Sequence, residues 1–131
     1  MKLAVIGASR GIGRKVVDEA LERGHQVRAM SRNTSSIDIS DEGFGAMDGD
    51  ATNAVDVFNA IDGCDAVILS LGVPRDIRVL KKTTLFSDAT RVLIEQMDKA
   101  GIKRLLAVTG FGAGDSYAKL STPEKISYKV I

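Results

Sequence analysis

A doubly wound α/β sheet of parallel strands is the fold class this sequence predicts, and three observations carry the prediction. A short apolar run, Leu3 to Ile6, passes directly into Gly7-Ala-Ser-Arg-Gly-Ile-Gly13 and then into an amphipathic segment. Beyond it, strand-like apolar runs alternate with segments of helical periodicity, as strand–crossover–strand units require. Finally, Ala66-Val-Ile-Leu69 is an unbroken apolar run, the pattern of a parallel strand covered on both faces.

The elements follow in order. Residues 2–7 read as the first strand. Residues 11–23 read as a helix with Ile12, Val16, Val17, Ala20 and Leu21 on one stripe and mostly charged residues opposite. Gly24 ends that helix. Val27 to Ser31 form a second strand, and Arg32 to Ser36 have the polar composition of a loop. Residues 37–44 fit irregular chain or a short helical turn. Gly45 to Met47 read as a short third strand, and residues 53–61 as a helix whose stripe runs through Ala54, Val57, Phe58 and Ile61. Asp65 to Leu71 form the fourth strand. Residues 84–100 make the longest helix, with Leu85, Ala89, Val92, Leu93, Gln96 and Met97 inward and Gly101 closing it. Lys103 to Thr109 complete the pattern as a fifth strand of buried appearance. Right-handed crossovers leave the Rossmann order as the main candidate, with ligand along the carboxyl ends of the strands.

Composition bounds the function. The 131 residues suit one domain, spanning 1–131. A net charge of +1 with interspersed signs argues against a nucleic-acid surface. No apolar run approaches membrane-spanning length, and the run after Met1-Lys2 is too short for a secretory signal, so the expected compartment is the cytoplasm. Cys64 is the only cysteine and has no neighbouring base to activate it. His25 belongs to a helix-to-strand turn away from the ligand edge and is expected to be exposed. Asp48 and Asp50 lack a nearby His or Cys and make a poor metal-ligand set, so no metal is expected.

The glycine loop is the centre of the candidate site. One glycine turns the chain off the strand, another lets backbone approach a pyrophosphate, and a third lets the helix pack closely on the sheet. The helix N–H groups and its positive dipole end then face the phosphates. Gly7, Ala8, Ser9, Arg10, Gly11, Ile12 and Gly13 are therefore the phosphate-side candidates. After the second strand come Ser31 and Arg32, where proteins specific for NAD(H) carry an acidic acceptor for the ribose hydroxyls. Arg32 cannot accept, but with Arg10 it suits a 2′-phosphate, so NADP(H) is favoured over NAD(H). Asp50 can accept from the adenine amine while Ala51 lies against the ring. Leu71 and Gly72 follow the fourth strand, where glycine permits close approach to a ribose. Thr109 opens a second glycine-rich corner, running to Asp115, at the nicotinamide and substrate end.

Taken together these pieces resemble the atypical short-chain dehydrogenase/reductases, in the branch of NmrA-like proteins and the biliverdin reductase B/flavin reductase group. The matching segments are Gly7 to Gly13, Ser31-Arg32-Asn33, Gly49-Asp50-Ala51, Gly63 to Gly72 and Val108 to Ser116, covering nearly the whole chain. The resemblance implies a Rossmann-fold, NAD(P)H-binding protein whose relatives act on flavins and other planar or carbonyl compounds or only sense the nucleotide. Two departures stand out. The family's usual Tyr-x-x-x-Lys pair is missing, since position 121 is Ser and the chain stops before 132, so Tyr117 and Tyr128 read as structural. Relatives without that pair often carry a hydroxyl at the end of the fifth strand, which makes Thr109 the candidate catalytic residue; a backbone-bonded strand-end threonine is the alternative. The second departure is a short C-terminus, in that relatives continue beyond the helix begun by Glu124.

Two classes of function remain open: an NADP(H)-dependent oxidoreductase transferring hydride to a flat or carbonyl acceptor, and a non-catalytic nucleotide-binding or redox-sensing module. Gly-x-x-x-x-Gly-Lys-Ser/Thr does not occur, which excludes P-loop phosphoryl transfer. The apolar fifth strand without a sixth predicts a homodimer, with helix 84–100 and residues 120–131 as contacts.

Overall fold

The computed structural model describes residues 1–71 and 79–108. Five parallel strands form one sheet in the order β3-β2-β1-β4-β5. They are β1 (Lys2–Ile6), β2 (Gln26–Ser31), β3 (Phe44–Asp48), β4 (Ala66–Leu69) and β5 (Leu105–Ala107). The helices are α1 (Gly11–Glu22), α2 (Ala54–Ile61) and α3 (Val79–Ala100). This is the Rossmann arrangement: β1 lies at the centre, paired with β2 on one side and β4 on the other. The strand order reverses between β1 and β4, where a crevice opens at the carboxyl ends.

Alternation along β1 divides the core into two layers. Ala4 and Ile6 pack with Met30, Val57, Ile61, Val67, Leu69, Leu93 and Met97 on the face covered by α2 and α3. Val5 packs with Val17, Ala20, Val27 and Ala29 on the α1 face. Gly24, at φ +81°, ends the first helical stretch in the left-handed conformation expected of a C-terminal glycine. Arg28 reaches from β2 to the end of α2, where its Nη1 donates to the carbonyls of Asn59, Ala60 and Asp62 at 3.0, 3.2 and 2.8 Å. Those carbonyls are ones the helix end cannot satisfy itself.

Several expectations need correction. The β2–β3 connection, residues 32–43, is irregular chain, one of the two forms expected of it, and only the strict strand–helix alternation breaks there. Ile39 from this irregular connection packs against the α1 layer in place of a helix. Ile12 is not part of the inner stripe of α1; it is 56% exposed at the carboxyl edge of the sheet. Among the described residues the fifth strand is an edge strand, where a buried internal one was expected. Among the described residues it is short, pairs only with β4, and leaves Leu106 52% exposed. Helix α3 begins at Val79, earlier than its apolar stripe suggests. Gly72, Thr109, Tyr117, Tyr128 and the segment 120–131 lie outside the described residues.

Candidate functional site

Backbone approach builds the crevice. Gly7 leaves β1 at φ +88°, and a Cβ there would stand 2.0 Å from the carbonyl oxygen of Ser70 at the end of β4. A Cβ on Gly13 would stand 1.9 Å from the carbonyl oxygen of Gly7. Only hydrogen side chains let α1, the turn and β4 come this close. Gly11, at φ +61°, differs: nothing lies within 4 Å of its Cβ position, so the space over it is open. The glycine spacing therefore produces one sharp turn, two close packings and one open backbone surface.

The loop is held rigidly from below. The N–H groups of Gly7 and Ala8 donate to the carbonyl of Met30 at 2.9 and 3.4 Å, and Ser70 N–H donates to Ile6 at 2.8 Å. Ala8 is fully buried, Ser9 half-buried, and Arg10, Gly11 and Ile12 are exposed. Arg10 precedes α1 without any side-chain cap, and the first turn of the helix carries no acid. Helix α2 contrasts with it: the Asn53 side chain accepts from the Asp56 N–H at 3.1 Å, and Asp56 places a carboxylate in the first turn. Of these two helices, α1 alone presents its first-turn N–H groups and positive dipole end without a side-chain partner.

The neighbouring corner is formed by the ends of β2 and β3. Ser31 is buried, and its carbonyl accepts from Gly49 N–H at 2.9 Å. Arg32 is exposed, and no ion pair among the described residues engages Arg32 or Arg10. Asp50 accepts at one oxygen from the N–H and hydroxyl of Thr52, at 2.8 and 2.7 Å. Those bonds, with a smaller contribution from the Arg32 guanidinium, hold its carboxyl below the ordinary carboxylate value. Asp48 accepts from the N–H and hydroxyl of Thr34, both at 2.7 Å, which lowers its carboxyl likewise. Ala51 and Leu71 are both partly buried against the α2–α3 core layer, which anchors the two strand ends they follow.

The sequence reading missed the Thr34–Asp48 contact and the role of the Ser70 carbonyl. Neither has a local signature, because each joins residues that only the sheet brings together. Away from the crevice, His25 is half-buried with its Nδ1 3.1 Å from the N-terminal amine. Cys64 is buried, and that burial pushes its thiol up from the ordinary value. Among the described residues no helix is long and apolar enough to cross a membrane.

Comparison with known proteins gives the family. Residues 7–129 match the family of NAD(P)H-binding proteins. The chain belongs to the NAD(P)H-binding family. Among its relatives is the uncharacterized protein YwnB of Bacillus subtilis (strain 168), 34% identical over 113 residues, covering 86% of this chain and 49% of YwnB. The photosystem II assembly factor Ycf39 of Trieres chinensis is 32% identical over 108 residues, covering 81% of this chain and 33% of that protein. The chain thus spans half or less of the length of these two relatives. Among solved structures, the anaerobillin reductase ChuY of Escherichia coli O157:H7 superposes with a TM-score of 0.77 at 27% identity, covering 98% of this chain and 60% of ChuY. The ligand class of this NAD(P)H-binding chain is accordingly a nicotinamide dinucleotide, as the glycine motif predicted. The open backbone over Gly11 and the uncapped start of α1 suit its pyrophosphate.

Proposed function

We propose that residues 1–131 form the dinucleotide-binding domain of an NADP(H)-dependent oxidoreductase that reduces a flat or carbonyl acceptor. The observation that carries this reading is the uncapped first turn of α1 standing over the β1–β4 crevice. In this reading the N–H groups of Gly11, Ile12 and Gly13 hold the pyrophosphate, with Ala8 and Ser9 shaping the loop. Arg32 and Arg10 take the 2′-phosphate. Asp50 accepts from the adenine amine while Ala51 lies beside the ring. Ser31 and Leu71 line the ribose path, and the sequence alone assigns Gly72 to the ribose and Thr109 to the nicotinamide end. When bound, the reduced cofactor supplies a hydride to the acceptor. The chain's own task is to fix the cofactor's orientation and to exclude water from its reactive face. Thr109 would hold the carboxamide or the substrate oxygen through its hydroxyl.

A second reading is a nucleotide-sensing module without turnover; Tyr117 is followed four residues on by Ser121 where the family's usual pair has lysine. Mixing the chain with NADPH and a panel of flavins and quinones, and following the absorbance of the reduced nicotinamide, separates the two. Oxidation above the rate without protein supports the oxidoreductase. Tight binding without turnover across the panel supports the sensor.

A further inference from the structure

We propose that Thr34 and Asp48 are a positioning pair that fixes Arg32 at the adenosine corner and so sets how strongly this chain prefers NADPH to NADH. The proposal deepens the cofactor reading above and rests on it. Asp48 is the last residue of β3, in register with Ser31, the last residue of β2. Its Oδ1 receives both the backbone N–H and the hydroxyl of Thr34 at 2.7 Å. On the other side of Arg32, Ser31 is buried and its carbonyl is bonded to Gly49. Arg32 is thus tied to the end of β3 one residue before it and two residues after it. A further turn follows, where Asn33 Oδ1 accepts from Ser35 N–H at 3.0 Å.

This anchoring matters because no helix follows β2 to hold the chain. An exposed arginine on an untethered loop must lose backbone and rotamer freedom each time it engages a phosphate. The Thr34–Asp48 contact removes the backbone part of that cost in advance.

The test uses two probes that differ only in the 2′-phosphate, 2′,5′-ADP and 5′-AMP, titrated calorimetrically into the full chain. The wild type should prefer 2′,5′-ADP, and Arg32→Ala should abolish the preference. Thr34→Val and Asp48→Ala should reduce the preference about three- to tenfold, the equivalent of roughly one net hydrogen bond. Thr34→Ser, which keeps the hydroxyl, should restore it. Thr34→Val removes only one exposed hydroxyl bond and decides the matter if Asp48→Ala does not fold. A preference unchanged in Thr34→Val, with both probes weakened alike, would show a merely structural contact and overturn the proposal. A wild type with no preference would overturn the NADP(H) reading itself, and the pair's role with it.

Discussion

Gly13 faces the carbonyl oxygen of Gly7 so closely that a Cβ at position 13 would lie 1.9 Å from it. The helix and the strand it follows are in backbone contact, and the shape of the crevice depends on that contact. Gly13→Ala should force α1 away from the turn, at a cost of about 1–3 kcal/mol, the usual range for an overfilled core. Cofactor affinity should fall with it. Gly11→Ala is the control: it meets no atom, and only its positive φ is strained, so a loss of about 1 kcal/mol is expected. Urea unfolding of both variants checks this. Equal losses would mean that the close approach does not govern the fold here.

Cofactor choice should turn on Arg32. Arg32→Asp should weaken NADPH binding by about 1.5–3 kcal/mol, as loss of a charge-assisted contact does, and leave NADH binding equal or better. The effect should shrink at high salt, because the side chain is exposed. Titration calorimetry with both cofactors at two salt concentrations measures it. Equal affinities in the wild type would refute the arginine argument.

Acid should loosen the corner at the ends of β2 and β3. Asp48 and Asp50 hold their protons less readily in the folded chain than at the ordinary value of 3.8. Their contribution to stability is therefore complete above that value and is lost as pH falls through the lower folded values. Asp48→Asn keeps an acceptor for Thr34 but does not titrate. Its stability should fall less steeply than the wild type's below about pH 4, where carboxylates take up protons. Urea midpoints between neutral and acid pH report the slopes, and parallel slopes would contradict the assignment.

Association should accompany the exposed apolar residues. Leu106 on β5 and Ile94 on α3 are 52% and 55% exposed, and Ile94 lies in a shallow groove with Phe86, Thr90 and Arg91. A two-fold dimer through α3 is the expected solution. Light scattering at micromolar concentration should report at least twice the 14.0 kDa chain, and Ile94→Glu should shift it toward monomer. A wild type that scatters as a monomer would exclude this assembly.

The opening strand and helix were legible because local chemistry decides them. An apolar run, three glycines and a helical stripe ending at Gly24 leave little freedom between Lys2 and His25. The buried face of α3 was legible for the same reason, since Ala89, Leu93, Gln96 and Met97 recur at helical spacing and are buried. Its polar first turns were missed because a helix, once nucleated, propagates through residues that carry no stripe. Strand β5 misled because Leu105-Leu106-Ala107 is apolar, whereas burial depends on which strands and helices flank it. Ile12 shows the converse: its spacing belongs to the stripe, but its place at the start of α1 puts it over the crevice. Thr34 and Asp48, 14 residues apart, were silent because only the pairing of β2 with β3 makes them neighbours.

The central place of β1 has a consequence for how the chain comes together. Its partners are β2, which follows after a single helix, and β4, whose pairing with Leu3 to Ile6 joins residues 63 positions apart. On the ribosome, one edge of β1 stays open until Leu69 has emerged, after β2 and β3 have already been made. Closing that long loop is the step that contact order marks as slow. Strand β1, made before both of its partners, is thus sealed late, and until then an apolar edge is open to other nascent chains.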